Sequence, residues 1–556
     1  MIKRIFSVFL IFLFLLPVFA RKHDKDAVFK LISKSYTLNL DGSSEYRERK
    51  ELKIFTTMTF DYFGETFIDY NPDFQNLIIN EAYVIREDGT KIEVPENAFN
   101  NILPNNCTNC ERLNNIREMV VTHTALEHNA TIILDYSITS KNFFFKELFS
   151  TIELYEVVPI ENFVLTVSVP DDKPLNWNLN FSNFKYTKSQ NNNNGNKTTM
   201  WKFYNLPSKT NDSYLFRTSL PTISFYSFNY PEEFLEKFLQ QSAFTNFNDE
   251  KIDAFFKTLA ADKSSDLEKI IAIKDYISDN ISTKNVRLEL LNYILATPKH
   301  VWETNCALPL EKEIFLTKIL KNIGYDAQIT FNVKDLFENN AAAVRLLLNK
   351  DTLYISANEH SDLNLTAKLS PTTMILENGN IEKLKNIGKN IHVEAEIRFT
   401  DNDILKPYSN VLTKKIVSPI TKTLYNQDTV LAKAQVRQIG NSYLLEINNG
   451  KYGTSISSDE IYRNRNHNIN TSSSSELYIY SIILPNKYQF ATTSSKEEFN
   501  IEGAKMIENI EVSDHKLIII KQLELPKTGI SAKNTEKFKE MMGRWETPKR
   551  IIIKKN

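Results

Sequence analysis

Apolar positions along this chain follow two different periods, and the places where one gives way to the other divide the sequence into three parts. From residue 21 to about 228 the apolar residues alternate, as strands require. Tyr36 to Leu40 alternates, Asp41-Gly42 supplies a hairpin turn, and Arg47 to Thr56 reads as the return strand. Asp88-Gly89 joins a second pair. The runs REMVVTHTALEHNATIILDYSI and NFVLTVSVP continue the pattern, with QNNNNGNKTT as a polar loop or hairpin tip. Repeated short strands of this kind predict a β-sandwich. His123 and His128 alternate with apolar residues there and are expected on exposed strand or turn positions.

Between about 229 and 297 the period becomes helical. Ile252, Phe255, Phe256 and Leu259 form one stripe. Leu267, Ile270, Ile271, Lys274 and Ile277 form another, opened by Ser265 with Glu268 three residues on, the spacing of a capping box. A further helix is expected over Pro309 to Leu320: Leu310, Ile314, Thr317 and Leu320 share a face, Pro309 suits the first position, and Gly324 lies just past the end. Three strands follow, over Asp326 to Val333, Ala343 to Leu348 and Thr352 to Ile355, the last two around Asn349-Lys350-Asp351. Beyond about 375 strand patterning returns. The chain ends on a short helix carrying Phe538, Met541, Met542 and Trp545, then a last strand. The fold class is therefore multidomain α+β, with a β-sandwich over 21–228, an α+β core over 229–374 and a β-rich domain over 375–556.

Composition narrows the function. A chain of 556 residues with 42% hydrophobic and 12% aromatic residues holds several cores and is not generally disordered. Lys3 and Arg4, the apolar run from Ile5, and Val18-Phe19-Ala20 read as a signal peptide over residues 1–20. No cysteine follows that run and no later segment is long and apolar enough to span a bilayer. The expectation is an exported, periplasmic or envelope-associated protein without a lipid anchor or transmembrane span. Removing Lys3 and Arg4 takes the formal net charge from −1 to −3, which argues against nucleic acid as a partner. Three cysteines are too few for disulfides to carry the fold. Cys107 and Cys110, in an Asn-rich stretch, read as a local disulfide or two free thiols rather than a redox pair or a zinc site. No phosphate loop, H-E-x-x-H pair or G-x-S-x-G elbow occurs, and Asp401-Asn402-Asp403 lacks the rest of a calcium loop, so no cofactor or metal is expected.

The phrases TPKHVWETN, PLEKEIFLTKILKNIGYDAQI and DTLYIS, with the order helix, strand, strand, strand, resemble the papain-like, transglutaminase-like core of envelope proteins from Bacteroidota-type bacteria. The preceding β region, through LNLDGSSEYRERKELKIFTTM and INEAYVIREDGTKIEV, resembles the domain of unknown function found before such cores, and EIYRNRNHNI and MMGRW resemble their C-terminal part. The resemblance implies a Cys at the helix start, a His opening the next strand pair and an Asp after it. The helix terminus favours thiolate, the His moves the proton and the Asp orients the His. Here Pro309 stands at the Cys position, Ala342 or Ala343 at the His position and Ser356 at the Asp position, and none can do that chemistry. The pattern implies a pseudoenzyme that binds an envelope peptide, glycan or protein. The alternative is a thiol peptidase or acyltransferase using Cys306, with His360 as base and Asp362 as orienter.

Overall fold

The computed structural model describes residues 26–555 except 142–143, 181–184, 194, 209–220, 246, 333–341, 350, 359–372, 385–388, 400–411, 418–434, 448–468, 470–473 and 527–528. Asp401-Asn402-Asp403, His360, Asp362 and the proposed signal peptide thus lie outside the described residues.

The alternation in the first part builds an eight-stranded sheet. Its spatial order is Tyr186–Asn193, Asn196–Leu206, Ile160–Pro170, Ala27–Leu38, Ser44–Ile54, Thr131–Ser140, Gln75–Ile85 and Lys91–Glu93. Asp41-Gly42 makes the expected turn, with Gly42 at φ 85°, a conformation that glycine adopts without steric cost. Ala27–Leu38 and Ile160–Pro170 pair in parallel and the other neighbours are antiparallel. The register sets Tyr46 between Tyr36 and Ile138, and Glu48 between Lys34 and Tyr136, all on one face.

Two three-stranded sheets cover that face. One (Asn176–Asn180, Thr222–Tyr226, Phe149–Glu153) packs Ile152, Ile223 and Phe225 against Leu52, Phe163, Leu165 and Trp201. The other (Glu65–Tyr70, Arg117–Thr122, Phe99–Ile102) packs Ile68 and Val121 against Ala82, Leu134 and Ile138. The run around REMVVT and TIILDYSI therefore divides between two sheets, and most of the Asn-rich tip belongs to the edge strand Tyr186–Asn193 and its neighbour Asn196–Leu206. His128 is exposed, but His123 is only 5% exposed and its Nε2 lies 2.9 Å from Thr66 Oγ1. Burial pushes its imidazole down to about 4. Alternation marks two faces but not which of them a second sheet will cover.

The helical part begins with Pro231–Phe238, followed by Glu250–Leu259 and Asp266–Asn280. Asp249 caps the second helix by accepting from the Lys251 and Ile252 amides, and Ser265 with Glu268 forms the expected capping box on the third. The helix Pro309–Asn322 lies against an antiparallel sheet ordered Asp351–Ile355, Ala342–Leu348, Asp326–Asn332, Thr373–Leu376 and Ile381–Lys383. The expected single apolar face is too modest a description, because every residue from Pro309 to Leu320 is buried. Leu310 and Ile314 enter a cluster shared with Cys110, Leu113, Phe145 and Phe149. Phe315, Leu316, Ile319 and Leu320 enter another with Ile252, Phe256, Ile273 and Ile277. The first of these clusters draws on residues before and after position 229, so the first two parts of the chain share a hydrophobic core.

The third part forms a six-stranded sheet (Leu412–Val417, Lys389–Arg398, Ser474–Ile483, Lys516–Leu525, Ala504–Ser513, Ser495–Ile501) and a four-stranded sheet (Gln435–Ile439, Ser442–Ile447, Lys549–Lys555, Tyr488–Phe490). The helix Thr535–Glu546 buries Phe538, Met541, Met542 and Trp545 in the same cluster as Tyr478, Tyr480, Ile551 and Ile553.

Phe256 is fully buried with edge contacts to Trp302, Tyr276 and Phe315. Phe256→Ala should destabilise the helical part by about 3 to 5 kcal/mol, read from the shift in its denaturant midpoint.

Candidate functional site

The segment leading into the helix Pro309–Asn322 is built by short pairings. Cys306–Ala307 pairs in parallel with Ser282–Thr283, behind the helix Pro298–Thr304, which Thr297 caps through the His300 amide and which ends at Asn305 with φ 51°. The left-handed turn at Asn305 redirects the chain so that Cys306 is buried beside the helix start. There Cys306 forms a disulfide with Cys110, across 196 residues of sequence and a Cα separation of 6.0 Å. Neither expected state of Cys107 and Cys110, a local disulfide or two free thiols, is therefore found, and Cys306 is not a free nucleophile. Cys107 is a buried free thiol that burial pushes up to about 11. Counting cysteines also understated their role, since the one disulfide among the described residues closes a very long loop.

Charge is concentrated just inside the helix. Glu311, 1% exposed, accepts from the Leu308 amide at 2.8 Å, the Ala296 amide at 2.7 Å and Arg112 at 2.5 Å, while Arg112 also donates to the Ile294 carbonyl at 2.6 Å. Two backbone donors and a guanidinium thus satisfy a carboxylate placed by helical spacing at the third position of the first turn. Lys312 turns the other way and donates to the carbonyls of Ser278 and Ile281 and the Thr283 hydroxyl at 3.0–3.2 Å. Burial lowers its affinity for the proton.

Glu313 points to the strand end. It accepts from the Ser356 hydroxyl, from the Ala357 amide at 3.0 Å and from Asn358 Nδ2 at 2.7 Å. Asn358 also donates to the Pro309 carbonyl at 2.9 Å. Burial outweighs these donors and raises the Glu313 carboxyl to about 7. Near neutral pH this buried group exchanges a proton, and the Ser356 hydroxyl can donate to the carboxylate or accept from the acid.

The structure brings Pro309 and Ser356 to the same side-chain network, through Asn358 and Glu313. Pro309 occupies the first helical position and Ser356 follows the strand Asp351–Ile355, as their sequence positions require. Ala342 packs on the cluster that contains Cys306 and Leu308, whereas Ala343 faces away, beside Tyr354 and Met374. None of these four side chains supplies a nucleophile–imidazole pair. Among the described residues no group of His, Cys, Asp and Glu is arranged to hold a metal ion.

Sequence reasoning missed Glu311, Glu313, Asn358 and Arg112. A single shared face through Leu310, Ile314, Thr317 and Leu320 gives Glu311 and Glu313 no role. The available signal was local: a Glu two residues after a helix-opening Pro matches the third position of a capping box.

Residues 40–210 match the family model of a domain of unknown function, DUF3857, for which a structure has been solved. No curated protein matches the chain. The crystal structure of a candidate protease from Parabacteroides distasonis matches 95% of this chain and 99% of that one, with 22% identity and a TM-score of 0.71. The two share a fold over nearly their whole lengths. A candidate cysteine protease from Cytophaga hutchinsonii is aligned over 43% of this chain and 80% of that one, with 10% identity and a TM-score of 0.19, too low to bear on the fold.

Peptide mapping without reductant should join the Cys110 and Cys306 peptides, and should leave Cys107 open to alkylation only after unfolding. Reduction should lower stability by up to about 5 kcal/mol, from the chain entropy of so long a loop. For Glu313, a carboxyl whose folded pKa is raised, the stabilising contribution is complete below its unfolded value of 4.5 and is lost as pH rises toward about 7. Wild type should lose roughly 3 kcal/mol through this group over that window, and Glu313→Gln should flatten the dependence in pH-resolved denaturation.

Proposed function

We propose that this chain is an exported, non-catalytic protein with a transglutaminase-like core that holds a peptide, glycan or protein partner in the cell envelope. The observation carrying this reading is the start of the helix Pro309–Asn322. Pro309 fills the position where the nucleophile is expected, and the neighbouring Cys306 is tied to Cys110. A proline ring and a disulfide sulfur offer no thiolate to attack an acyl group.

Further support comes from what surrounds that position. The pattern positions for base and orienter are Ala342 or Ala343 and Ser356, and Ser356 is committed to Glu313. The Cys110–Cys306 bond favours an oxidising compartment, in keeping with an exported chain. No helix among the described residues is long and apolar enough to cross a membrane. The whole-length likeness in fold to the Parabacteroides distasonis candidate protease is compatible with descent from a protease scaffold. The thiol-enzyme alternative would require the disulfide to be reduced before Cys306 could act.

Labelling with a thiol-reactive acyl probe from about pH 5 to 9 tests this directly. The native protein should not label at Cys306, and after mild reduction labelling should rise only near the ordinary thiol pKa of about 8.5. Fast Cys306 labelling below about pH 7, abolished in Cys306→Ala, would overturn the non-catalytic reading. Pro309→Cys alone should create no thiol-dependent turnover, because base and orienter are still missing.

A further inference from the structure

The face of the eight-stranded sheet covered by the two small sheets is not apolar throughout. Between the cluster under one small sheet and the cluster under the other runs a strip of polar and aromatic side chains: Lys34, Tyr36, Tyr46, Glu48, Lys50 and Tyr136. The rings of Tyr36 and Tyr46 lie 4.8 Å apart and those of Tyr46 and Tyr136 6.0 Å apart. Glu48, only 4% exposed, accepts from the Tyr136 hydroxyl at 2.6 Å and is flanked by Lys34 at 3.3 Å and Lys50 at 3.4 Å. Those lysines and that hydroxyl outweigh burial and hold its carboxyl down to about 2.

Other parts of the chain converge on the strip. Glu156, just past the strand Phe149–Glu153, lies 4.0 Å from Lys50. From the helical part, Arg287 reaches Glu289 at 2.7 Å and Asp69 of the other small sheet at 3.8 Å. One Asp69 oxygen is buried without a hydrogen-bond partner among the described residues. Burial, and then the nearby Glu289 charge, push the Tyr36 phenol above its ordinary range. Yet the Arg287 side chain is 61% exposed, and Tyr36, Tyr46, Lys34 and Lys50 are only partly buried. Solvent therefore reaches a convergence of aromatic and hydrogen-bonding groups where the large sheet, both small sheets and the helical part meet. Sites between structural units with a few converging polar groups are the usual places for ligands.

We propose that this strip is a binding cleft for a neutral, hydroxyl-rich ligand, a short oligosaccharide. Cations (Lys34, Lys50, Arg287) and carboxylates (Glu48, Asp69, Glu156, Glu289) interleave, which selects against a polyanion such as nucleic acid. Charged groups along the strip select against a lipid chain. The strands Ala27–Leu38, Ser44–Ile54 and Thr131–Ser140 are interior to the sheet, so no open edge offers backbone pairing to a peptide. What remains on offer is tyrosine rings with hydroxyl tips, carboxylate acceptors and ammonium and guanidinium donors. Pyranose rings have both the apolar faces and the hydroxyls to match them. The inference is independent of whether the core is catalytic.

The test is calorimetric titration of the full chain with maltohexaose, cellohexaose and chitohexaose, and with a neutral hexapeptide of Gly and Ser. The expected result is saturable binding of at least one hexasaccharide, weakened about tenfold or more in both Arg287→Ala and Glu289→Gln with unchanged thermal midpoints. Arg287 is largely exposed and Glu289 partly so, and neither belongs to a hydrophobic cluster, so the variants should fold. Binding of none of the three saccharides, binding of the peptide alone, or saccharide binding unaltered in both variants would overturn the proposal.

Discussion

A helix buried on every side cannot carry charge unless each charged group finds a partner before water is excluded. The helix Pro309–Asn322 carries Glu311, Lys312, Glu313 and Lys318 in this state, all at most 7% exposed. Each is satisfied by a different neighbour: Glu311 by its own first turn and Arg112, Lys312 by the end of the helix Asp266–Asn280, Glu313 by the end of the strand Asp351–Ile355, and Lys318 by the Phe244 carbonyl at 2.6 Å. An unpaired buried charge is strongly destabilising, so these bonds specify where the surrounding elements must sit. The apolar flanks add free energy without direction; the charges supply orientation.

The same requirement explains why the first and second parts of the chain are joined so closely. Arg112 cannot be moved away without leaving Glu311 short of a cation, and two residues earlier Cys110 holds Cys306 covalently. Asn71 donates to the Leu290 carbonyl at 2.8 Å and Lys284 to the Thr108 carbonyl at 2.7 Å across the same junction. The disulfide and these hydrogen bonds together hold the two parts of the chain at this junction. Glu313 is the exception to rigidity, because burial leaves its proton equilibrium near neutral pH.

The polar strip on the large sheet follows a related logic with a different outcome. The charge of Glu48 is countered by Lys34, Lys50 and the Tyr136 hydroxyl, although its Oε1 has no hydrogen-bond partner among the described residues, and Arg287 and the tyrosines keep access to solvent. Compensation inside, with accessible donors and acceptors beside it, is the feature on which the proposed cleft rests.

Periodicity alone located the helices and strands around the candidate site to within a residue or two: the capping box at Ser265, the Pro309 start, and the strand trio after Gly324 are local features, determined by neighbours in sequence. The identity of the side chains at Pro309, Ala342, Ala343 and Ser356 was equally legible, because side-chain chemistry does not depend on the fold. Tertiary structure alone decided which cysteine Cys110 would join, since two chain segments 196 residues apart must be brought within disulfide reach. It alone buried His123, just past the strand Arg117–Thr122, and it alone placed Glu311, Lys312 and Glu313 inside the core with a partner for each. Sequence spacing sets which residues share a face, but only packing sets what covers it.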